Sequence, residues 1–311
     1  MQTTRLRSSR CPENNPARLS LLRRLIINAD DFGLTSGVNR AIFEAHRRGI
    51  VTSATLMANS NSFNEAIDLA VSMPRLSVGC HLVLVDGSPL LASDRVPSLI
   101  GSGAEYHATF GQFAKAALRK KLRSDEIEGE ATAQIQRIQK AGLNVSHVDS
   151  HKHTHMLPLV GAAAIRAAKN CGVLAIRNPF VPNRPLAFAD LARRPKLWTR
   201  YAETRLLRAY RREFIKHVAA AGMVTTDGTF GVISTGALDL DLFCAIVDAV
   251  PEGTWEFVCH PGYVDEQLGT IRTRLRESRQ KELEVLTSNE ARQALAERGI
   301  ELISYADLVA N

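Results

Sequence analysis

Nine consecutive positions, His147-Val148-Asp149-Ser150-His151-Lys152-His153-Thr154-His155, contain four of the chain's nine histidines. Short histidine-rich tracts usually bind metal. The plain alternative is a solvated or tag-like run, but a tag would not sit mid-chain between Leu143-Asn144-Val145 and a Pro-led helical segment. Read as a strand ending in a loop, the stretch puts His147, Asp149 and His151 on one face, because side chains repeat every second residue. Read as the start of a helix, it puts His151 and His155 on one face at four-residue spacing, close enough to share an ion. Both readings meet at His151. Imidazole and carboxylate ligands without thiolates suit a catalytic divalent site, in which two histidines and one carboxylate leave positions open for water and substrate. Hydrolysis of an unactivated amide needs a nucleophile at neutral pH, a stabilised oxyanion and a proton for the departing amine. A bound metal supplies the first two, and a carboxylate base with a histidine acid completes the set.

The elements that must position such groups follow in order. Leu25-Ile26-Ile27-Asn28 reads as a buried strand delivering Asp30 and Asp31 to a loop. A helix from about Ser36 to His46, a strand Thr52 to Ala58, a helix Phe63 to Val71 and a strand Ser77 to Leu84 bearing His81 come next. That alternation predicts a parallel sheet with helical crossovers. An irregular stretch from Asp86 to Gly111 reads as a long loop over the site, followed by a helix Ser124 to Lys140. His147 to Ser150 is the fourth strand, Leu159 to Asn170 its helix and Val173 to Arg177 the fifth strand. Later come a helix Leu240 to Ala249, a strand Trp255 to Cys259 ending in His260-Pro261-Gly262, a polar helix Arg272 to Leu286 and a short strand Glu301 to Ser304. Asp30, Asp31, His81, Asp149, His151, Arg177 and His260 therefore all fall at strand ends, which share one face of a parallel α/β sheet or barrel. Singly, each has a dull explanation, His81 as a satisfied core histidine and His260 as a strand terminator. Jointly they predict one site.

The 311 residues, 45% hydrophobic, suffice for one large α/β domain. Five cysteines, odd in number and without a CxxC pair, argue for a reducing, cytoplasmic setting and against both a disulfide scaffold and a thiolate zinc site. No apolar run approaches the ~20 residues that cross a bilayer. Residues 1–24, rich in arginine and without an apolar h-region, are expected to be a disordered extension rather than a secretory signal. The net charge of +7 favours anionic neighbours. Residues 180–222 break the strand and helix rhythm. Their arginines predict a basic amphipathic helix from about Trp198 to Ala220, either a charged surface helix or a lid that touches an anionic membrane at the inner face. No nucleic-acid module accompanies them, so nucleic acid is not an expected partner.

Four motifs, NADDFG at 28–33, VGCHLVLVDGSPLL at 78–91, HVDSHKHTHMLP at 147–158 and EFVCHPG at 256–262, resemble the YdjC-type carbohydrate deacetylases, the group that includes chitooligosaccharide deacetylases. The likeness runs from Leu25 to Leu308. The HLVLVDGSPLL stretch and FGVISTG at 230–236 resemble its hopanoid-associated branch, called HpnK. The resemblance implies an irregular (β/α) barrel with one divalent ion, Mg or Zn, held by Asp31, His81 and His151. It implies Asp30 as the base and His260 as the acid. Arg177 would orient Asp30 or hold substrate, and Asp149, His153 and His155 would face the substrate or stand behind the ligands. An extended segment rises ~3.3 Å per residue, so His151, His153 and His155 reach one ion only if the backbone turns sharply. The arginine-rich insertion and the residues around Asp227 depart from the family pattern, which bears on the substrate more than on the chemistry.

The expected function is removal of an acetyl group from an N-acetylated amino sugar, either an oligosaccharide or a glycolipid such as an N-acetylglucosaminyl hopanoid, by a monomer or homodimer. Two alternatives remain. One is metal-dependent hydrolysis of another bond, a phosphoester or cyclic amide. The other is a noncatalytic module docked on membranes.

Overall fold

The computed structural model of the chain describes residues 22–310. The strands are β1 (Arg23–Phe32), β2 (Ser53–Leu56), β3 (Ser77–Leu82), β4 (Ile100–Ser102), β5 (Glu105–Tyr106), β6 (Val148–Ser150), β7 (Thr229–Phe230), β8 (Gly253–Cys259) and β9 (Ile300–Leu302). The helices are α1 (Ser36–Arg47), α2 (Phe63–Val71), α3 (Phe110–Leu118), α4 (Ser124–Lys140), α5 (Pro158–Asn170), α6 (Phe188–Ala192) and α7 (Trp198–Leu207) in the first two thirds. They continue as α8 (Arg211–Ala221), α9 (Leu240–Ala249), α10 (Glu266–Thr270), α11 (Glu277–Thr287), α12 (Asn289–Glu297) and α13 (Tyr305–Ala310). The main sheet runs β6-β3-β2-β1-β8-β7, its pairings all parallel, with β9 beside the start of β1. Single parallel bridges, Val148 to Ile176 and Ala175 to Val224, carry the sheet from β6 round towards β7. The result is an irregular (β/α) barrel, as expected. The fifth strand predicted at Val173 to Arg177 is reduced to these bridges.

The alternation along β1 explains where the site sits. Leu25, Ile27 and Ala29 face outward into the core beneath the helices, whereas Ile26 meets Ala175, Ile303 and Tyr305 at the barrel floor. Asn28 and Asp30, on the inward face above Ile26, are polar and fully or almost fully buried. The barrel interior therefore changes from apolar to charged along its axis.

Several expectations shift. β1 begins at Arg23, two residues inside the predicted extension, because the Arg23 guanidinium bonds the carbonyls of Val247, Val250 and Arg298 and so ties the strand to the ends of α9 and α12. The rest of that extension, residues 1–21, lies outside the described residues. The loop expected from Asp86 to Gly111 contains the small antiparallel pair β4 and β5. The single helix predicted from Trp198 to Ala220 is two, α7 and α8, broken by a 3-10 turn at Arg208–Tyr210, where the Arg208 guanidinium turns inward to the Val181 carbonyl. The helix predicted from Arg272 begins only at Glu277, since Arg272 is drawn out to Asp86. Cys80, Cys171, Cys244 and Cys259 are free. Among the described residues no helix is long and apolar enough to cross a membrane.

Candidate active site

Asp30 and Asp31 are consecutive, so an extended strand would point them to opposite faces. Asp31 instead has φ +65°, a left-handed conformation that aspartate tolerates better than most residues, and both carboxylates turn into the barrel mouth. His81 enters at the end of β3. Its Nδ1 pairs with Asp149 Oδ1 at 2.7 Å, so that in the neutral ring Nε2, 3.5 Å from Asp31 Oδ1, is the lone-pair nitrogen. A carboxylate that fixes the tautomer of an imidazole from behind is the usual support of a metal-binding histidine. His151 Nδ1 lies 3.3 Å from the same Asp31 oxygen.

The histidine-rich stretch is neither the strand nor the helix it could have been. β6 stops at Ser150, and His151–Met156 form a 3-10 turn in which Lys152 and His153 have φ +54° and +52°. That sharp turn separates the imidazoles. His151 joins Asp31, and His153 lines the cavity. His155 is turned under, pairing its Nδ1 with Ser150 Oγ at 2.5 Å and packing against Phe214. His147 stays deep in the barrel, its ring stacked 3.6 Å from that of Tyr305. Burial, then the Arg177 charge, holds the pKa of His153 down at about 3. Burial, then the neighbouring His153, pushes that of His155 well down.

Arg177 is completely buried and does not line the cavity, so of the two roles expected for it, orienting Asp30 or holding substrate, its position suits the first. Its guanidinium meets both oxygens of Asp30 at 2.6 and 2.9 Å, Asp149 at 2.6 Å and Glu256 at 2.7 Å. Asp149 likewise serves His81 and Arg177 rather than a ligand in the cavity, and His155 does not line the cavity either. Burial opposes the charge on Asp30, but Arg177 and His81 outweigh it and keep the carboxyl well below the usual range. Burial also opposes the charge on Asp31, and Arg279 and His151 overcome it. For His81, burial favours the neutral ring, yet Asp149 and Asp30 push its pKa up to about 9. His260, at the end of β8, places Nε2 3.9 Å from Asp30 Oδ2, and its backbone N–H donates to Glu282 Oε2 at 2.6 Å.

A cavity of about 910 Å³ opens above these groups, bordered by the loop after β3, the histidine turn, α7 and the segment before α11. Asp227 lies elsewhere, accepting a hydrogen bond from the Thr254 backbone in a turn beside β8.

The residues fit a divalent cation. One ligand atom each from Asp31, His81 and His151 lies within 4.8 Å of the others. The charge inventory agrees: five buried carboxylates, Asp30, Asp31, Asp149, Glu256 and Glu282, face two buried guanidiniums, Arg177 and Arg279, and the His81 imidazole, which still leaves negative charge in surplus. A buried surplus of negative charge is costly unless compensated.

A sequence model of the family described as YdjC-like protein matches residues 24–297. The chain belongs to that family. A carbohydrate deacetylase of Brevibacillus brevis is 33% identical to it over 286 residues, 92% of this chain and 99% of the relative. A chitooligosaccharide deacetylase of Proteus mirabilis is 33% identical over 293 residues, 92% of this chain and 98% of the relative. A crystal structure from Enterococcus faecalis V583, of a protein named for cellobiose-phosphate cleavage, superposes with a TM-score of 0.75 at 29% identity, covering 92% of this chain and 99% of that one.

This YdjC-like site also contains residues that the sequence reading missed: Glu256, Arg279, Glu282 and Thr55. Thr55 Oγ1 lies within 3.3 Å of both Asp30 and Asp149. Two of the four left a signal. In the helix Glu277–Thr287, Arg279 and Glu282 occupy the same face as Leu283 and Leu286, at i, i+3, i+4 and i+7, and charged residues on an apolar stripe are either paired or functional.

Proposed function

We propose that the chain is a metal-dependent carbohydrate N-deacetylase, a hydrolase that removes the acetyl group of an N-acetylated amino sugar as acetate. What carries the reading is the convergence of Asp31, His81 and His151 at the base of the cavity with Asp30 and His260 3.9 Å apart beside them. The names of the relatives point the same way.

Asp31, His81 and His151 would hold one divalent ion, Mg or Zn, which when bound acidifies water and polarises an acyl oxygen. Asp30, ionised and clamped by Arg177, stands ready to take a proton from the attacking water. His260, held through its backbone by Glu282, is placed to protonate the departing amine. His153, kept neutral, offers a hydrogen bond to the sugar without adding charge.

A specific observation favours an amphiphilic substrate reached at a membrane surface. Residues 180–222 hold ten Lys and Arg against three Asp and Glu, a surplus equal to the +7 of the entire chain. Within them Phe188, Trp198 and Leu206 are exposed by 78%, 51% and 78%. Basic residues interleaved with exposed apolar ones suit an anionic lipid surface. On its other side α7 lines the cavity with Arg200, Glu203, Thr204 and Leu207. The two stretches that resemble the hopanoid-associated branch contribute Asp86, Val232 and Thr235 to the same cavity. These features support a glycolipid such as an N-acetylglucosaminyl hopanoid over a soluble oligosaccharide.

Incubating the protein with a panel of N-acetylglucosaminyl compounds and following them by mass spectrometry should show loss of one acetyl group. Asp31→Ala and His151→Ala should abolish both that loss and metal binding measured by calorimetry. Turnover of phosphoesters in place of acetylated sugars would select the other hydrolytic reading, and salt-sensitive vesicle binding without any turnover would select the binding module.

A further inference from the structure

Arg279 is 1% exposed, although it arises from one of the most polar helical sequences in the chain. Its stem lies against Gly262, where a Cβ would come within 2.8 Å of Arg279 Cδ, so the turn after His260 leaves just enough room for it. At the tip, Nε donates to the Leu275 carbonyl at 3.2 Å and Nη2 donates to Asp31 Oδ2 at 2.5 Å. Nη1 is buried and has no acceptor. A guanidinium nitrogen left unpaired away from water is costly, and this one belongs to a side chain that lines the cavity together with Asp31, His151 and His260. Nη1 is therefore a donor awaiting an acceptor.

Its chemistry restricts that acceptor. A guanidinium does not give up its proton near neutral pH, so it cannot protonate a leaving amine. It can only donate hydrogen bonds, most strongly to an oxygen bearing negative charge. In amide hydrolysis that oxygen is the acyl oxygen. Water adds to the acyl carbon and gives its proton to Asp30, while the C=O π pair moves onto oxygen. When the C–N bond breaks, the nitrogen takes a proton from His260, and the oxygen ends as part of acetate. The bond from Nη2 to Asp31 holds the guanidinium beside the candidate ligands, at the cavity that would take the amide.

We infer that Arg279 is a catalytic residue whose Nη1 donates to the acyl oxygen as it becomes negative, while Nη2 fixes the Asp31 oxygen that does not face His81 and His151. The inference rests on the deacetylase reading. It gives one side chain two tasks carried by two separate nitrogens, and lysine has only one nitrogen to place. A single ammonium can pair with Asp31 but lacks the second arm.

The test compares wild type and Arg279→Lys, both full-length. Removal of one oxyanion donor costs about 10²- to 10³-fold in kcat, so that loss is expected with KM and zinc affinity each within about threefold of wild type. A kcat within threefold of wild type would overturn the inference. So would a loss that tracks weakened zinc binding and is restored by excess zinc, because Arg279 would then act only by positioning Asp31. A second measurement needs no turnover. Titrating acetate, with and without zinc, should show binding to wild type that is at least tenfold weaker in Arg279→Lys. Equal binding, or none to either protein, counts against the assignment. An inert wild type that nevertheless shows the acetate difference would reject the substrate reading and keep the donor. Should Arg279→Lys unfold, Gly262→Ala, which crowds the same stem from the backbone side, is expected to reduce kcat and acetate affinity together.

Discussion

Removing the Arg177 guanidinium would strand Asp30, Asp149 and Glu256, three carboxylates that share it in the barrel interior. Breaking a buried ion pair by deleting one partner costs about 3–5 kcal/mol. Arg177→Met is therefore expected to lower unfolding free energy by that order in denaturant titrations, with or without substrate. A stability unchanged from wild type would mean that the carboxylates are not held as described. At this scale the sequence was informative about identity and silent about partnership. Asp30, Asp31, His81, His151 and His260 were legible because strand ends of a parallel sheet share one face. Arg177 was legible as a strand-end cation, but its complete burial depends on the β6 bridge to Ile176, which no local pattern encodes. The turn that parts His151, His153 and His155 depends on left-handed Lys152 and His153, residue types that give no warning of it.

Helices α4 and α11 do more than cover the barrel. On α4, Glu130 accepts the backbone N–H groups of Leu90 and Leu91 at 2.9 and 3.0 Å, and Gln134 both accepts from and donates to Val83. Together they brace the loop that carries Asp86 to the cavity rim. Glu130→Ala leaves those donors unmet, at about 1–3 kcal/mol each. It should raise hydrogen exchange across residues 83–91 well before it affects β1, and unchanged protection there would contradict the bracing role. The sequence reading placed α4 within its correct limits but could not reveal this task, because the bonded partners lie 39 to 51 positions away. In α11, Arg279 reaches Asp31 and Glu282 reaches His260 from a single helix turn. The two flanks of the site therefore move together if that helix shifts.

For the whole molecule, the buried histidines set a window of pH. Burial, then Arg177, keeps His147 neutral, and His153 and His155 are also held below the ordinary value. Below about pH 6.5 the unfolded chain takes protons that the folded chain refuses, so stability falls with pH by up to ~1.4 kcal/mol per unit for each such residue. His81 acts in the opposite direction. With its folded pKa pushed up to about 9, it adds stability that is complete below about pH 6.5 and is lost as pH rises from there through about 9. Chelator-treated protein should thus have its highest Tm near neutrality, with His147→Phe flattening the acid side and added metal abolishing the alkaline decline. A Tm constant from pH 4 to 6.5 would refute the burial of neutral rings. The concentration of positive charge in residues 180–222 has its own consequence, because α7 within that segment borders the cavity. The other described residues carry 25 Lys and Arg against 28 Asp and Glu, so the described molecule is a lopsided dipole whose positive pole includes the helix at the entrance. In the field of any polyanionic surface it will swing like a compass needle and arrive mouth first, before a single contact has formed.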